Sequence, residues 1–171
     1  MQLQLSKDLD KSVVFDEIRN QLETANYTIE NEDQTRPWGG FFVINEEDTN
    51  AFAANFFPNL DSELEDVTAK RSPKILVVAP SCRLSWQYHF RRSEVWKVVN
   101  GPVGVKISDT DEEGDLKVLE TGDFIKMNTG ERHRLVGLNT WGVVAEIWQH
   151  TDPDHPSDEE DIVRLQDDFG R

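Results

Sequence analysis

A single cysteine, Cys82, is present in the 171-residue chain. It excludes an intrachain disulfide framework and points to a reducing compartment. Positive charge is also scarce: 18 Lys and Arg stand against 33 Asp and Glu, a formal net charge of −15. A general nucleic-acid binder carries a basic face, so this balance argues against one. No apolar run approaches the roughly 18 residues that a transmembrane helix needs. The first residues, Met1 to Asp8, have neither a basic n-region nor an apolar h-region, so no signal peptide is expected. Internal repeats and low-complexity segments are absent too. The expectation is a soluble cytoplasmic protein of one domain with neither nucleic acid nor membrane as partner. At 19.7 kDa it can bury a core without disulfides or a structural metal.

The acidity is uneven. Residues 70–134 hold twelve bases and nine acids, a local charge of +3, and the remaining 106 residues carry −18. A locally basic centre in an acidic protein suits a small anionic ligand better than a polyanion.

Apolar periodicity predicts a helix over Asp8–Asn26, with Val14, Ile18 and Leu22 every four residues. Val13 and Phe15 widen the stripe, and Ser6 or Asp8 is placed to cap it. Tyr27–Pro37 reads as a polar connector, and Phe41–Ile44 as a short strand. Residues 46–73 do not read as sheet. Within them Asn50–Phe57 forms a short helix stopped by Pro58, with Phe52, Phe56 and Phe57 on one side, and Asp61–Asp66 is acidic and exposed. From Lys74 the pattern becomes short strands near 74–80, 83–90, 93–100, 102–109, 115–120, 123–127, 133–138 and 141–149. Gly101-Pro102, Glu113-Gly114, Thr121-Gly122 and Thr129-Gly130 mark turns between or beside them. Strands at this spacing predict an antiparallel sandwich or barrel. The tail from Asp152 carries eight acids in 17 residues.

Alternation along Arg83–Phe90 puts Arg83, Ser85, Gln87 and His89 on one face of a strand and Leu84, Trp86, Tyr88 and Phe90 on the other. A polar row facing a barrel interior needs partners or a task. Glu94 follows His89 by five residues, across a turn at Arg91–Ser93, and His133 comes later in Asn128–His133. Gln87, His89, Glu94 and His133 can then converge as a mixed N/O site for one divalent ion. Such donors suit Zn, Mn, Fe, Co or Ni without choosing among them. Taken singly, each residue has a plainer explanation: a hydrogen-bonded histidine, or a Glu94–Arg92 ion pair. The joint spacing overrides these.

That spacing resembles the two motifs of the cupin superfamily. Gln87-x-His89-x4-Glu94-x6-Gly101 matches the first, with Gln in place of its first His, and Gly122-x5-Asn128-x-Gly130-x2-His133 matches the second. The terminal Asn of the second motif falls at Gly137, with Asn139 two residues on. A closer resemblance is to type II mannose-6-phosphate isomerases, over about residues 36–171. It is carried by Arg36-Pro37-Trp38-Gly39, by Arg83-Leu84-Ser85-Trp86-Gln87-Tyr88-His89 through Arg92-Ser93-Glu94-Val95-Trp96, and by the stretch from Glu160-Asp161-Ile162-Val163-Arg164 to Phe169-Gly170-Arg171. Arg91 stands where the family often has a second His, and Val95 replaces the His after the Glu. These departures leave the metal set intact and the substrate open.

The resemblance implies an all-β fold, a cupin double-stranded β-helix (jelly-roll barrel) with an N-terminal helix. Residues 1–35 would form a helical extension. Residues 36–171 would form the barrel domain, with an insertion at about 46–73 and an acidic tail. It also implies aldose–ketose isomerisation of a phosphorylated sugar through a cis-enediol, with one divalent metal ion, Zn foremost, and a homodimer. Arg92 and Lys74 are then the candidate catalytic cations, and Arg83 and Arg164 the candidate phosphate contacts. Spacing does not name the general base, for which Lys74 and a metal-bound hydroxide are the candidates. Asp161, Arg164 and Arg171 either fold over the barrel mouth or belong to an exposed tail. Some stand-alone cupins of this type are described as phosphoheptose isomerases, so a heptose phosphate is the alternative substrate. A non-catalytic sugar- or nucleotide-sugar-binding cupin is the alternative class. A dioxygenase is disfavoured by Gln87, and an epimerase does not require this metal set.

Overall fold

The structure, a computed structural model, describes residues 1, 3–59 and 70–170. The expected acidic stretch Asp61–Asp66 and Arg171 lie outside the described residues. The first sheet contains β1 (Ile29–Asp33), β2 (Gly39–Ile44), β3 (Arg71–Val78), β5 (Arg92–Asn100), β8 (Phe124–Met127) and β10 (Gly142–His150). Its order is β1-β2-β3-β10-β5-β8. The second contains β4 (Trp86–Tyr88), β6 (Val103–Ser108), β7 (Lys117–Leu119), β9 (Arg132–Gly137) and β11 (Val163–Gln166). Its order is β11-β4-β9-β6-β7. All pairings are antiparallel. This is the expected jelly-roll architecture.

Two cores explain the strand sequences. Between the sheets, Leu76, Val78, Trp96, Val98 and Val144 meet Val103, Val105 and Leu135. On the other face of the first sheet, Ile75, Val77, Val95, Val143, Ala145 and Ile147 pack with the helices α1 (Lys11–Thr24) and α2 (Thr49–Phe56). The central strands are therefore covered on both faces. All nine residues of β10 are buried, which is why Gly142–His150 reads as a nearly continuous apolar run instead of alternating.

α1 is shorter than its periodicity suggested, because Asp10, not Ser6 or Asp8, stands at its N-cap. Val14, Phe15, Ile18 and Leu22 form its buried stripe, while Val13 is about half exposed. Ile18→Val is expected to cost about 1 kcal/mol in urea denaturation, whereas Val13→Ala should shift stability by less than about 0.5 kcal/mol. Equal effects at the two positions would contradict this packing.

Three further differences from expectation have local causes. The connector Tyr27–Pro37 contains β1, an edge strand of sequence Ile-Glu-Asn-Glu-Asp whose polar residues hide its pairing with β2. β3 begins at Arg71, inside the stretch 46–73 that did not read as sheet. The strand expected over 83–90 is limited to Trp86–Tyr88, and Arg83 makes only an isolated bridge to Val136. Outside the ladder strict alternation lapses, so Leu84 joins the inter-sheet core. Phe52, Phe56 and Phe57 are buried together as expected.

Gly39 opens β2 at φ +140°, and a Cβ there would lie 1.9 Å from the Val77 carbonyl oxygen. Only glycine fits this approach, which brings the preceding Trp38 into the inter-sheet core.

Candidate metal centre

β5 and β9 face one another across the inter-sheet space, and each places one donor there. Glu94 lies near the start of β5 and His133 near the start of β9. His89 follows β4 directly. All three are buried, and one ligand atom from each lies within 4.8 Å of the others. His89 Nε2 is 3.2 Å from Glu94 Oε1, and His133 Nε2 is 3.4 Å from Glu94 Oε2. Gln87 is paired with His133 in the β4–β9 register, so both side chains leave the same face of the second sheet. Its Oε1 accepts a hydrogen bond of 2.6 Å from Ser85 Oγ.

Backbone carbonyls fix the histidine tautomers. His89 Nδ1 is 2.6 Å from the Asp161 carbonyl oxygen, and His133 Nδ1 is 3.0 Å from that of Glu131. A carbonyl only accepts, so each Nδ1 carries the proton and each Nε2 presents a lone pair. Burial pushes His89 down to about 4, against the pull of Glu94, so the ring is neutral near pH 7. Burial alone would raise Glu94, but His89, Arg92 and His133 outweigh it and hold the carboxyl well below its ordinary value. His133 Nε2 has no hydrogen-bond partner. Two imidazole lone pairs thus face the oxygens of one buried carboxylate. The Arg92 guanidinium meets His89 Nε2 and Glu94 Oε1, while the buried His133 Nε2 is left without a partner, and this N/N/O set fits a divalent ion.

The C-terminal segment holds this arrangement. Burial alone would raise Asp161, but hydrogen bonds from Ser157 and from the backbone N–H groups of Phe90 and Arg91 hold it below its ordinary value. Those bonds measure 2.6, 3.1 and 2.9 Å. Next to it, β11 pairs with β4. The segment from Asp152 is therefore no plain exposed tail.

A cleft reaches the cluster through Gln87 and Glu94, with Arg92, Lys74, Trp96, Glu146 and Trp148 along its walls. The half-exposed Arg36 and Phe41 and the exposed Glu159 and Arg164 line its outer part. Arg92 is buried and fully engaged. Its Nε donates to Glu94 Oε1 at 2.8 Å, its NH2 to His89 Nε2 at 3.1 Å, and its NH1 to Ser157 Oγ at 2.8 Å and the Asp158 carbonyl oxygen at 3.1 Å. Lys74 Nζ pairs with Glu159 and lies 3.6 Å from the Trp148 ring centroid. Arg92 Cζ lies 3.5 Å from the same centroid.

Of the residues singled out in the sequence, His89, Glu94 and His133 converge, and Gln87, Arg92, Lys74 and Arg164 line the adjoining cleft. Arg83 does not line it. Its guanidinium makes a two-pronged pair with Asp168 at 2.7 and 2.8 Å, and both side chains are about 40% exposed. Sequence reasoning missed Glu146, Trp38 and Trp148 as cleft residues. For Glu146 a signal existed: it is the lone acid in the apolar run of β10.

The fold has distant likenesses. An oxalate decarboxylase from Bacillus subtilis is 12% identical, over 79% of this chain and 30% of that one, with TM-score 0.56. The capsular polysaccharide assembling protein CapF from Staphylococcus aureus is 13% identical, over 82% and 34%, with TM-score 0.53. KdgF from Halomonas sp. is 14% identical, over 73% and 91%, with TM-score 0.51. The chain thus spans about a third of the length of the decarboxylase and CapF chains. At this identity the likeness concerns the fold alone. No curated protein matches the chain in sequence. Residues 63–167 match the family model described as Mannose-6-phosphate isomerase C-terminal, which is more than half of the chain, so this cupin belongs to that family.

Proposed function

We propose that the protein is a metal-dependent aldose–ketose isomerase acting on a sugar phosphate of the mannose 6-phosphate/fructose 6-phosphate type. The observation that carries this reading is the buried His89, Glu94 and His133 cluster at the inner end of a cleft whose lining includes Arg36, Lys74, Arg92 and Arg164 alongside Glu146 and Glu159. Family membership supports it. Gln87, His89, Glu94 and His133 would hold the ion. A neutral Gln in this set leaves the site more cationic than a carboxylate would. When bound, a divalent ion supplies positive charge that favours the enediolate over the carbonyl form of the sugar.

The chain's own residues do the rest. Lys74, Arg36 and Arg164 offer positive charge along the cleft for a phosphate, Lys as a point charge and Arg as a fork. Trp38, Phe41 and Trp148 give apolar walls for the sugar carbons. Arg92 and Asp161 hold the donor set in register. Arg83, tied to Asp168, is assigned no contact with the sugar. A heptose phosphate would use the same groups, and the sugars below discriminate.

Deuterium exchange followed by NMR tests the reading. Protein loaded with Zn, Mn or Co is incubated in D₂O with mannose 6-phosphate, fructose 6-phosphate or sedoheptulose 7-phosphate. Deuterium is expected at C1 or C2 of the accepted sugar, and chelation or His133→Ala should abolish it. An absence of exchange with every sugar and metal would demote the protein to a sugar-binding cupin without turnover.

A further inference from the structure

Isomerisation requires a group that takes a proton from one sugar carbon and returns it to the next. Glu146 lies at the middle of β10, between β3 and β5. Its cross-strand neighbours are Lys74 on β3 and Trp96 on β5. It is buried, and it lines the same cleft as Gln87, Glu94 and Arg92. Oε1 accepts a hydrogen bond of 2.8 Å from Trp96 Nε1, and that indole N–H also lies 3.2 Å from Glu94 Oε2. One donor therefore fixes the two carboxyl groups relative to each other. Among the described residues no hydrogen bond reaches Glu146 Oε2. The ammonium of Lys74, the adjacent cation, is paired with Glu159.

A structural role does not account for this acid. Burying a carboxyl is costly, and a structural one is normally satisfied at both oxygens or neutralised by a cation. Among the described residues Glu146 has one hydrogen bond and no ion pair, with Lys74 and Arg92 acting on it only at longer range. Its position on a central strand, clamped through Trp96, gives it a fixed aim into the cleft.

We propose that Glu146 is the catalytic residue that carries the proton between C1 and C2; this assignment rests on the isomerase reading. The Glu146 carboxylate takes the proton from the carbon beside the carbonyl. The electron pair of that C–H bond becomes the C1=C2 bond, and the carbonyl π pair moves onto its oxygen. The hydroxyl proton passes from one enediol oxygen to the other. The oxygen that gave up its proton then reforms a carbonyl, and the C1=C2 pair takes the proton back from Glu146 at the neighbouring carbon. One carboxyl on one face of the enediol serves both carbons, and no external oxidant or reductant is involved. Burial, with Glu94 nearby, pushes Glu146 up to about 8 against the pull of Lys74 and Arg92. A carboxyl of that kind both accepts and releases protons near neutrality.

The test uses the metal-loaded full chain. Glu146→Gln keeps the shape and the Trp96 hydrogen bond but cannot carry the proton. Deuterium incorporation from D₂O into mannose 6-phosphate or fructose 6-phosphate is expected to fall about 10²- to 10⁴-fold. Bound metal, melting temperature and calorimetric binding of fructose 6-phosphate should stay at wild-type levels. An epoxide analogue, 1,2-anhydromannitol 6-phosphate, tests the assignment without mutation. The Glu146 carboxylate should open the epoxide and form an ester that mass spectrometry places on residue 146. Wild-type exchange with undiminished exchange in Glu146→Gln overturns this assignment and leaves the isomerase reading standing. An ester on Glu94 or Glu159 instead of Glu146 overturns it as well. No exchange in wild type overturns both.

Discussion

Glu94→Gln is expected to abolish metal binding and to cost about 3–5 kcal/mol of stability, the scale for breaking a buried ion pair from one side. Glu94 takes 2.8 Å and 3.2 Å hydrogen bonds from Arg92 Nε and Trp96 Nε1, and it faces both histidine Nε2 atoms. The glutamine removes the only negative charge in the donor set and leaves the buried Arg92 without its ionic partner. Added Zn should raise the melting temperature of metal-stripped wild type, by about 2.7 kcal/mol of stability at a hundred times Kd, and leave that of Glu94→Gln unchanged. The pH dependence follows from the same groups. In the metal-free fold His89 stays neutral down to about 4 while the unfolded ring protonates from 6.5, so stability declines as pH falls through that window. Glu94 is held below its ordinary 4.5, so its contribution is present above 4.5 and is lost at lower pH. The Glu94 part of that lower decline should be missing from Glu94→Gln, while the part due to Asp161 remains. A variant that binds one divalent ion as tightly as wild type would remove Glu94 from the ligand set.

The donor set was legible because it is written in the spacing of three residues whose types are rare on a barrel interior. His89 and Glu94 flank one turn, and His133 comes beside them through the β5 and β9 strands that alternation also predicts. What was not legible depends on two-sided burial and on non-local pairing. In β10 the residues of both cores are interleaved, so period-2 alternation vanishes and Glu146 looks like an interruption in a core strand. β11 is a four-residue strand whose partner, β4, lies some 75 positions earlier in the chain, and its acidic surroundings suggest a solvated tail. Arg83 shows the limit of motif position alone. Its place in the motif stretch suggested a phosphate contact, but the chain leaves the ladder there and the guanidinium meets Asp168, a residue that no local pattern brings near it.

Asp161 gives the second large effect, and it acts on the metal at one remove. Its carboxylate gathers the N–H groups of Phe90 and Arg91 and the Ser157 hydroxyl, while its own carbonyl accepts from His89 Nδ1 at 2.6 Å. One residue thus pins the loop that follows β4 and sets the tautomer of a ligand on it. Asp161→Ala leaves the carbonyl present but frees the loop, and it strips a charged acceptor from two backbone donors. Such outer contacts to a metal ligand are commonly worth 10- to 100-fold in affinity. Competition with a chromophoric chelator should show a loss of about that size, with a stability loss of about 3 kcal/mol from the unsatisfied donors. Asp161→Asn, which keeps one acceptor, should fall between the two. Glu160→Gln, at the exposed neighbouring position, should bind metal as wild type does. Because Asp161 is held below its ordinary 3.8, its contribution is complete above that pH and is lost only as pH falls through the lowered value. Undiminished metal affinity in Asp161→Ala would mean that the β4 loop holds His89 without the C-terminal segment. The family-type stretch Glu160–Arg164 would then owe its place to the β4–β11 pairing alone.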